Sequence, residues 1–342
     1  MTHRTARHRL AFAVVGLIVL IGAGAPALAA VSTFYRTQSL GDRGTDVTTI
    51  QQLIHLDQTT APPPAGGRIV IVRGINPLLV PIDGVYGTTT TDAVRAFQRS
   101  RGLVESGIVD GATWRELVIP VGPGATGDAV VAVQRLLVEK GAAAVPIDGI
   151  YGAATTTAVK AFQAHMGLAQ TGSVDGATWR ALVWHFELPR FSPSALCDYS
   201  SSNGQANWGT AETISTLEAA GAAMVAAGYG RVAIGDVSFE HGGDIPDHES
   251  HELGLDADIR LMRKANDQCS YPTKWTLASY DRAATRALVK AIRAATPGHV
   301  KLIFFNDPVL IGEGLTSKYP GHDDHLHLRF CEVGFSDSRY RC

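Results

Sequence analysis

An excess of positive charge is what this sequence lacks. Lysine and arginine number 30 against 32 aspartates and glutamates, for a formal net charge of −2, and no basic stretch occurs beyond the N-terminus. A chain without surplus cations has no general attraction for a phosphate backbone, so nucleic acid is set aside as a partner. Long apolar runs are scarce too. Apart from residues 10–24, no stretch approaches the roughly 20 apolar residues of a membrane span, so no membrane partner is expected once that segment is removed. Cysteine is absent from the first half of the chain and numbers four in all: Cys197, Cys269, Cys331 and Cys342. The HExxH motif of helix-borne zinc sites is also missing, because Glu249 stands in His-Glu-Ser-His, one residue short.

What is present is an ordinary globular composition, 45% hydrophobic and 18% charged over 342 residues. That length accommodates two or three domains with buried cores, and nothing in it specifies an oligomeric state. Arg4, Arg7 and Arg9 precede the apolar run and Ala27-Leu28-Ala29 follows it. This is the pattern of a cleaved secretion signal over residues 1–30, with a retained anchor as the other outcome. The chain is therefore expected to be secreted, acting in the periplasm or cell wall. In an oxidising compartment four cysteines imply two disulfides, with three pairings open. The competing role is Cys331 as a metal ligand or nucleophile.

An internal repeat dominates the chain up to residue 182. PIDGVYGTTTTDAVRAFQ (81–98) returns as PIDGIYGAATTTAVKAFQ (146–163), 65 residues on, and the register holds from 102–117 to 167–182. Upstream, Val47, Ile50, Leu53 and Ile54 correspond to Val130, Val133, Leu136 and Leu137 at the spacing of an amphipathic helix. A second helix follows each Asp-Gly turn, capped by threonines, and buries Val94 with Phe97 or Val159 with Phe162. A third, short helix carries Trp114 or Trp179. Each copy is thus a small three-helix unit. The first copy also carries an insertion over 58–80, rich in proline and glycine, with a candidate strand at Arg68–Val72 and no role legible in it. These repeats, 38–119 and 121–184, resemble the peptidoglycan-binding domain family found on bacterial wall hydrolases. The resemblance implies peptidoglycan as the partner; a helical spacer that binds nothing would share the same core positions.

Residues 185–196 read as a linker into a last domain, 197–342. There, helical spacing over 213–227 and 281–295 and apolar runs at 232–237, 255–259 and 300–305 predict an α+β domain around a mainly antiparallel sheet. On the strand at 255–259, Leu255, Ala257 and Ile259 face one way and Asp256 and Asp258 the other. In GHDDHLHLRF (321–330), His325 and His327 share a strand face while Leu326 and Leu328 enter the core. Two imidazoles so placed can put one nitrogen on a metal and leave the other beside the metal's water. His251 and Asp258, in DHESHELGLDADIR, complete a His, Asp, His set. Three such ligands leave a position open for water, whose pKa zinc lowers towards about 7. One carboxylate with two neutral imidazoles leaves the site at net +1, able to polarise a carbonyl.

GDVSFEHGGDIPDHESHELGLDADIR together with GHDDHLHLRF resembles the penicillin-insensitive murein endopeptidases, within the zinc peptidases that include lysostaphin-type enzymes, D-alanyl-D-alanine peptidases and the hedgehog group. The likeness spans about 200–335. It implies Zn2+ held by His251, Asp258 and His327, with His325 as the catalytic histidine and His248 and His322 lining the cleft. The bond implied is D-alanyl to meso-diaminopimelate in wall crosslinks. Two positions depart from the pattern: Glu252 replaces a usual glutamine and Asp247 a frequent proline, both adding negative charge near the cleft. Asp323 and Asp324 either orient His325 or are solvated, and His241 reads as a turn residue. The expectation is a multidomain chain, two three-helix peptidoglycan-binding domains and an α+β zinc peptidase. A D,D-carboxypeptidase with the same site and a non-catalytic wall-binding protein are the alternatives.

Overall fold

The computed structural model describes residues 35–60, 80–140, 145–191, 195–200, 205–246 and 248–342. The signal segment, the candidate strand at 68–72 and Asp247 lie outside the described residues. The first repeat forms α1 (Thr45–Thr60), α2 (Thr88–Ser100) and α3 (Gly111–Leu117), and the second forms α4 (Asp128–Glu139), α5 (Ala153–His165) and α6 (Gly176–Trp184). The repeat's signature residues serve this architecture. Gln51 and Gln134, both buried, accept from the Gly84 and Gly149 amides at 2.9 Å and donate to Asp83 and Asp148 at 3.0 and 2.8 Å, stapling each Asp-Gly turn to its first helix. Asp110 and Asp175 cap the third helices through the Thr113 and Thr178 amides. The threonines of the second helices do not cap. Gly87 and Gly152 occupy the N-cap positions without a side-chain bond, and Thr91 and Thr156 bond back to their carbonyls instead. The hydroxyls lie inside the first turn, where the i−4 carbonyl is the nearest acceptor.

The two repeats share one core. Ile50 and Ile54 of α1 and Leu136 and Leu137 of α4 are essentially fully buried, as are Trp114 and Trp179 in the same cluster.

The last domain contains β1 (Leu196–Asp198), α7 (Ala211–Ala226), β2 (Val232–Ile234), β3 (Asp256–Arg260), α8 (Arg282–Ala295), β4 (Val300–Phe304), α9 (Pro308–Gly312) and β5 (His325–Phe330). Its sheet runs β1-β2-β3-β5-β4, with β1 and β2 parallel through the α7 crossover and the remaining pairs antiparallel. β1 and α9, at three and five residues, are too short to show a period in the sequence. One sheet face is apolar: Ala257, Ile259, Leu326 and Leu328 pack in one core with Leu217 and Met224 of α7 and Leu288 and Ile292 of α8. The helices therefore leave the opposite face to Asp256, Asp258, His325, His327 and Arg329.

Residues 185–191 pack against both neighbours: Glu187 pairs with Gly209 through both backbone bonds, and Lys140, buried, meets Asp46 at 3.3 Å and Glu187 at 3.2 Å. Arg36 pairs with Glu332 at 2.7 Å and His299 with Asp42 at 2.8 Å, tying the first repeat to the last domain. The disulfides are Cys197–Cys269 and Cys331–Cys342. Cys331 is thereby removed as a metal ligand or nucleophile.

Candidate metal centre

The antiparallel register of β3 and β5 sets Asp258 directly opposite His327, and Asp256 opposite Arg329. Cross-strand neighbours lie about 5 Å apart, close enough for the two side chains to meet. His251 arrives from the loop before β3 with φ of +75°, a left-handed conformation that costs a non-glycine residue about 1–3 kcal/mol. Its amide donates to Asp256 Oδ2 at 3.3 Å, which holds that turn. Gly242, at φ +76°, lies against the end of the same loop, where a Cβ would overlap the Glu252 carbonyl.

Three atoms converge. His251 Nε2 lies 3.2 Å from His327 Nδ1 and 3.4 Å from Asp258 Oδ1, and His327 Nδ1 lies 3.1 Å from Asp258 Oδ1. Ligands about 2.0–2.1 Å from a tetrahedral ion stand about 3.3 Å apart. The triangle therefore has the edges of one face of such a tetrahedron. The outer ring nitrogens are already committed: His251 Nδ1 donates to the Val237 carbonyl at 3.2 Å and His327 Nε2 to Asp256 at 3.1 Å. In the neutral ring, each commitment leaves the lone pair on the nitrogen that faces the triangle. The Asp258 side chain is 13% exposed, so the set opens on one side to solvent.

Electrostatics point the same way. Burial pushes the Asp258 carboxyl up, but hydrogen bonds from His251 and His327 hold it well below the usual carboxylate range. Burial likewise lowers His327, yet Asp256 and Asp258 outweigh it and raise the ring to about 9. Asp256 is held at about 2: burial opposes, and His327, Arg329 and Tyr340 overcome it. A cavity that stabilises a proton so strongly between two carboxylates is one that favours a cation.

His325 stands beside the triangle, its Nε2 3.8 Å from Asp258 Oδ1 and its Nδ1 2.9 Å from Asp324. Asp324 thus orients His325. Asp323 does something else, accepting from Trp275 Nε1 at 3.1 Å and Asn306 at 2.9 Å, and so fixes the loop. His248 packs edge-on against His251, with its Nε2 3.4 Å from Asp236; its donor atom falls within 4.8 Å of those of His251 and Asp258. Burial, then His251, depresses its pKa. His322 stands beside His325 and His327, its ring 4.8 and 5.5 Å from theirs and its Nδ1 bonded to the Pro320 carbonyl, its pKa depressed chiefly by burial. Glu249, at the mouth, accepts from Tyr319 Oη at 3.3 Å.

Sequence reasoning placed Asp256 on the Asp258 face without giving it a task. It binds His327, Arg329 at 2.7 Å and Tyr340 at 2.6 Å, and is fully buried. Strand alternation was the signal available for it; Tyr340, from the chain end, left none.

Comparison with known families agrees with this layout. Residues 73–117 and 126–182 match the "Putative peptidoglycan binding domain" family, and residues 199–303 match the penicillin-insensitive murein endopeptidase family. The chain joins two peptidoglycan-binding repeats to a murein endopeptidase domain. It is also 38% identical over 112 residues to the uncharacterized protein YbfG of Bacillus subtilis (strain 168), a match that takes in 31% of this chain and spans 15% of that protein's length. The endopeptidase match includes His251 and Asp258 and ends before β5. His325 and His327 join the site through the sheet register, beyond the matched segment.

Proposed function

We propose that the chain is a secreted zinc-dependent peptidase that cleaves D-alanyl to meso-diaminopimelyl crosslinks in peptidoglycan, held on the polymer by its repeats. The observation that carries this reading is the triangle of His251 Nε2, Asp258 Oδ1 and His327 Nδ1, sized for a tetrahedral ion and lying in a murein endopeptidase domain. When bound there, zinc supplies Lewis-acid polarisation and acidifies water.

The chain's own groups do the rest. His325, with Nδ1–H donating to Asp324, keeps Nε2 available to take a proton beside the triangle and return it to the leaving amine. Asp256 fixes the tautomer of His327. His322 and His248 flank the open side, where neutral rings can bind the polar backbone of a stem peptide. The repeats raise the local concentration of an immobile substrate.

The test is digestion of purified sacculi and dimeric muropeptides, with and without a chelator, followed by mass spectrometry. Dimers should split into monomers only when metal is present. Release of free D-alanine without loss of crosslinks would identify a carboxypeptidase, and no product at all a binding protein; either result would replace this reading.

A further inference from the structure

A second constellation of imidazoles lies where the second repeat meets the endopeptidase domain. His165 ends α5, His185 follows α6, and Glu240 and His241 open the loop that ends on His251. We propose that His165, His185, Glu240 and His241 form a second site for a divalent transition ion, clamping the second repeat to the endopeptidase domain. This goes beyond the peptidase reading and does not depend on it.

His185 carries the inference. Its side chain is 1% exposed, and its Nδ1 donates to the Phe186 carbonyl at 2.7 Å. In the neutral ring the lone pair therefore sits on Nε2. Nε2 is buried, makes no well-directed hydrogen bond, and faces Glu240 Oε1 at 3.2 Å. A lone pair aimed at a carboxylate oxygen in a buried place is unfavourable unless a cation lies between them. The ring cannot turn away, because Phe162 and Trp208 meet it edge-on at centroid distances of 5.7 and 5.6 Å.

The other donors are already gathered round. His165 Nε2 lies 2.8 Å from Glu240 Oε1, and His241 Nε2 lies 3.8 Å from Oε2. One donor atom from each of the four residues falls within 4.8 Å of all the others. A tetrahedral ion asks for separations of about 3.3 Å, so side-chain adjustments of a few tenths of an ångström to about an ångström complete the shell. His165 and His241 are exposed and able to make them. Three imidazoles with one carboxylate suit zinc or its neighbours rather than calcium or magnesium. A cavity of about 230 Å³, lined by Met166, His185, Glu240, His241 and Glu252 among others, adjoins the cluster and provides a way in. The competing cation is a proton, which would make His185 an imidazolium paired with Glu240.

The full-length chain, stripped of metal, decides between them. Zn2+ is titrated calorimetrically into the wild type, into the His165→Ala/His241→Ala variant and into the His251→Ala/His327→Ala variant, with circular dichroism as the folding control. Two ions should bind per wild-type chain and one per chain of either double variant. Co2+ added to the His251→Ala/His327→Ala chain should give tetrahedral d–d absorption that a further Glu240→Gln change weakens at least about tenfold in affinity. If the peptidase-site assignment were wrong and this one right, the wild type would bind a single ion that disappears in His165→Ala/His241→Ala. The proposal is overturned if that variant keeps every ion the wild type binds. It is equally overturned if the His251→Ala/His327→Ala chain folds and binds none, which would leave the proton as the cation at His185.

Discussion

His325 and His327 are two residues apart on one strand and hold different positions. His327 Nδ1 belongs to the triangle, whereas His325 Nε2 stands 3.8 Å from its nearest corner. His327→Ala should therefore lose both zinc and turnover. His325→Ala should keep zinc at close to one equivalent in the peptidase site while losing about 10²–10⁴-fold in rate. Metal analysis beside turnover for both variants checks the assignment. Protonation provides a second handle on the same residue. In the metal-free chain His327 titrates near 9, so at neutral pH it is an imidazolium and zinc must displace its proton. Zinc retention at limiting metal should fall steadily from pH 8 to pH 5. Calorimetry in two buffers of different ionisation enthalpy should reveal about one proton released per ion bound. Retention that does not change across that range would rule out an imidazole-based site.

At the scale of elements, the site is a product of strand pairing plus one covalent loop. β3 and β5 put Asp258 beside His327, and Asp256 buttresses His327 from behind. The chain end reaches back to complete this support: the Cys331–Cys342 disulfide closes a short loop that delivers Tyr340 Oη to Asp256 Oδ2. Tyr340→Phe should lower zinc affinity, by about 10-fold to 100-fold if this contact behaves like other partners of metal-ligating histidines. Cys331→Ser/Cys342→Ser should do at least as much, and zinc competition with a chromogenic chelator measures both. Affinity unchanged in both variants would mean the tail is not part of the site. The side-chain faces of the two strands were legible from alternation in DADIR and HLHLRF, whereas their pairing came only with the fold. The tail was not legible, because a single tyrosine beyond the last strand has no period to announce it.

The whole molecule differs from a catalytic domain on a flexible tether. Arg36–Glu332 and Asp42–His299–Glu212 are buried charge groups shared by the first repeat and the endopeptidase domain. Burial lowers the pKa of His299, but Asp42 and Glu212 outweigh it and raise the ring to about 10. The folded value exceeds the ordinary one of about 6.5, so this ring's contribution is complete below pH 6.5 and disappears as pH rises through 10. Glu212 opposes part of this contribution, because burial and then Asp42 push its carboxyl well above the usual range. Thermal stability should fall between pH 7 and 10 more in the wild type than in His299→Gln. Deleting residues 31–184 should lower the melting temperature of the endopeptidase domain as well as its activity on sacculi, because Glu332 loses Arg36 and His299 loses Asp42. An unchanged melting temperature would restore the picture of a simple tether.

Patterns of local period and repetition determined a good deal without any coordinates. The 65-residue repeat identified two copies of one unit, because the same core and turn residues must recur wherever that unit is built. Period-2 alternation set His325 and His327 on one side of their strand and Asp256 and Asp258 on one side of theirs, since strand geometry leaves no alternative. Tertiary structure alone decided which nitrogen of each histidine faces the triangle, because backbone carbonyls and carboxylates distant in sequence commit the other one. It also decided that Asp324 rather than Asp323 orients His325, that the four cysteines pair as 197–269 and 331–342, and that His165, His185 and His241 meet around Glu240. These are contacts between side chains up to 76 residues apart, and they depend on where whole elements come to rest rather than on any property of the segments themselves.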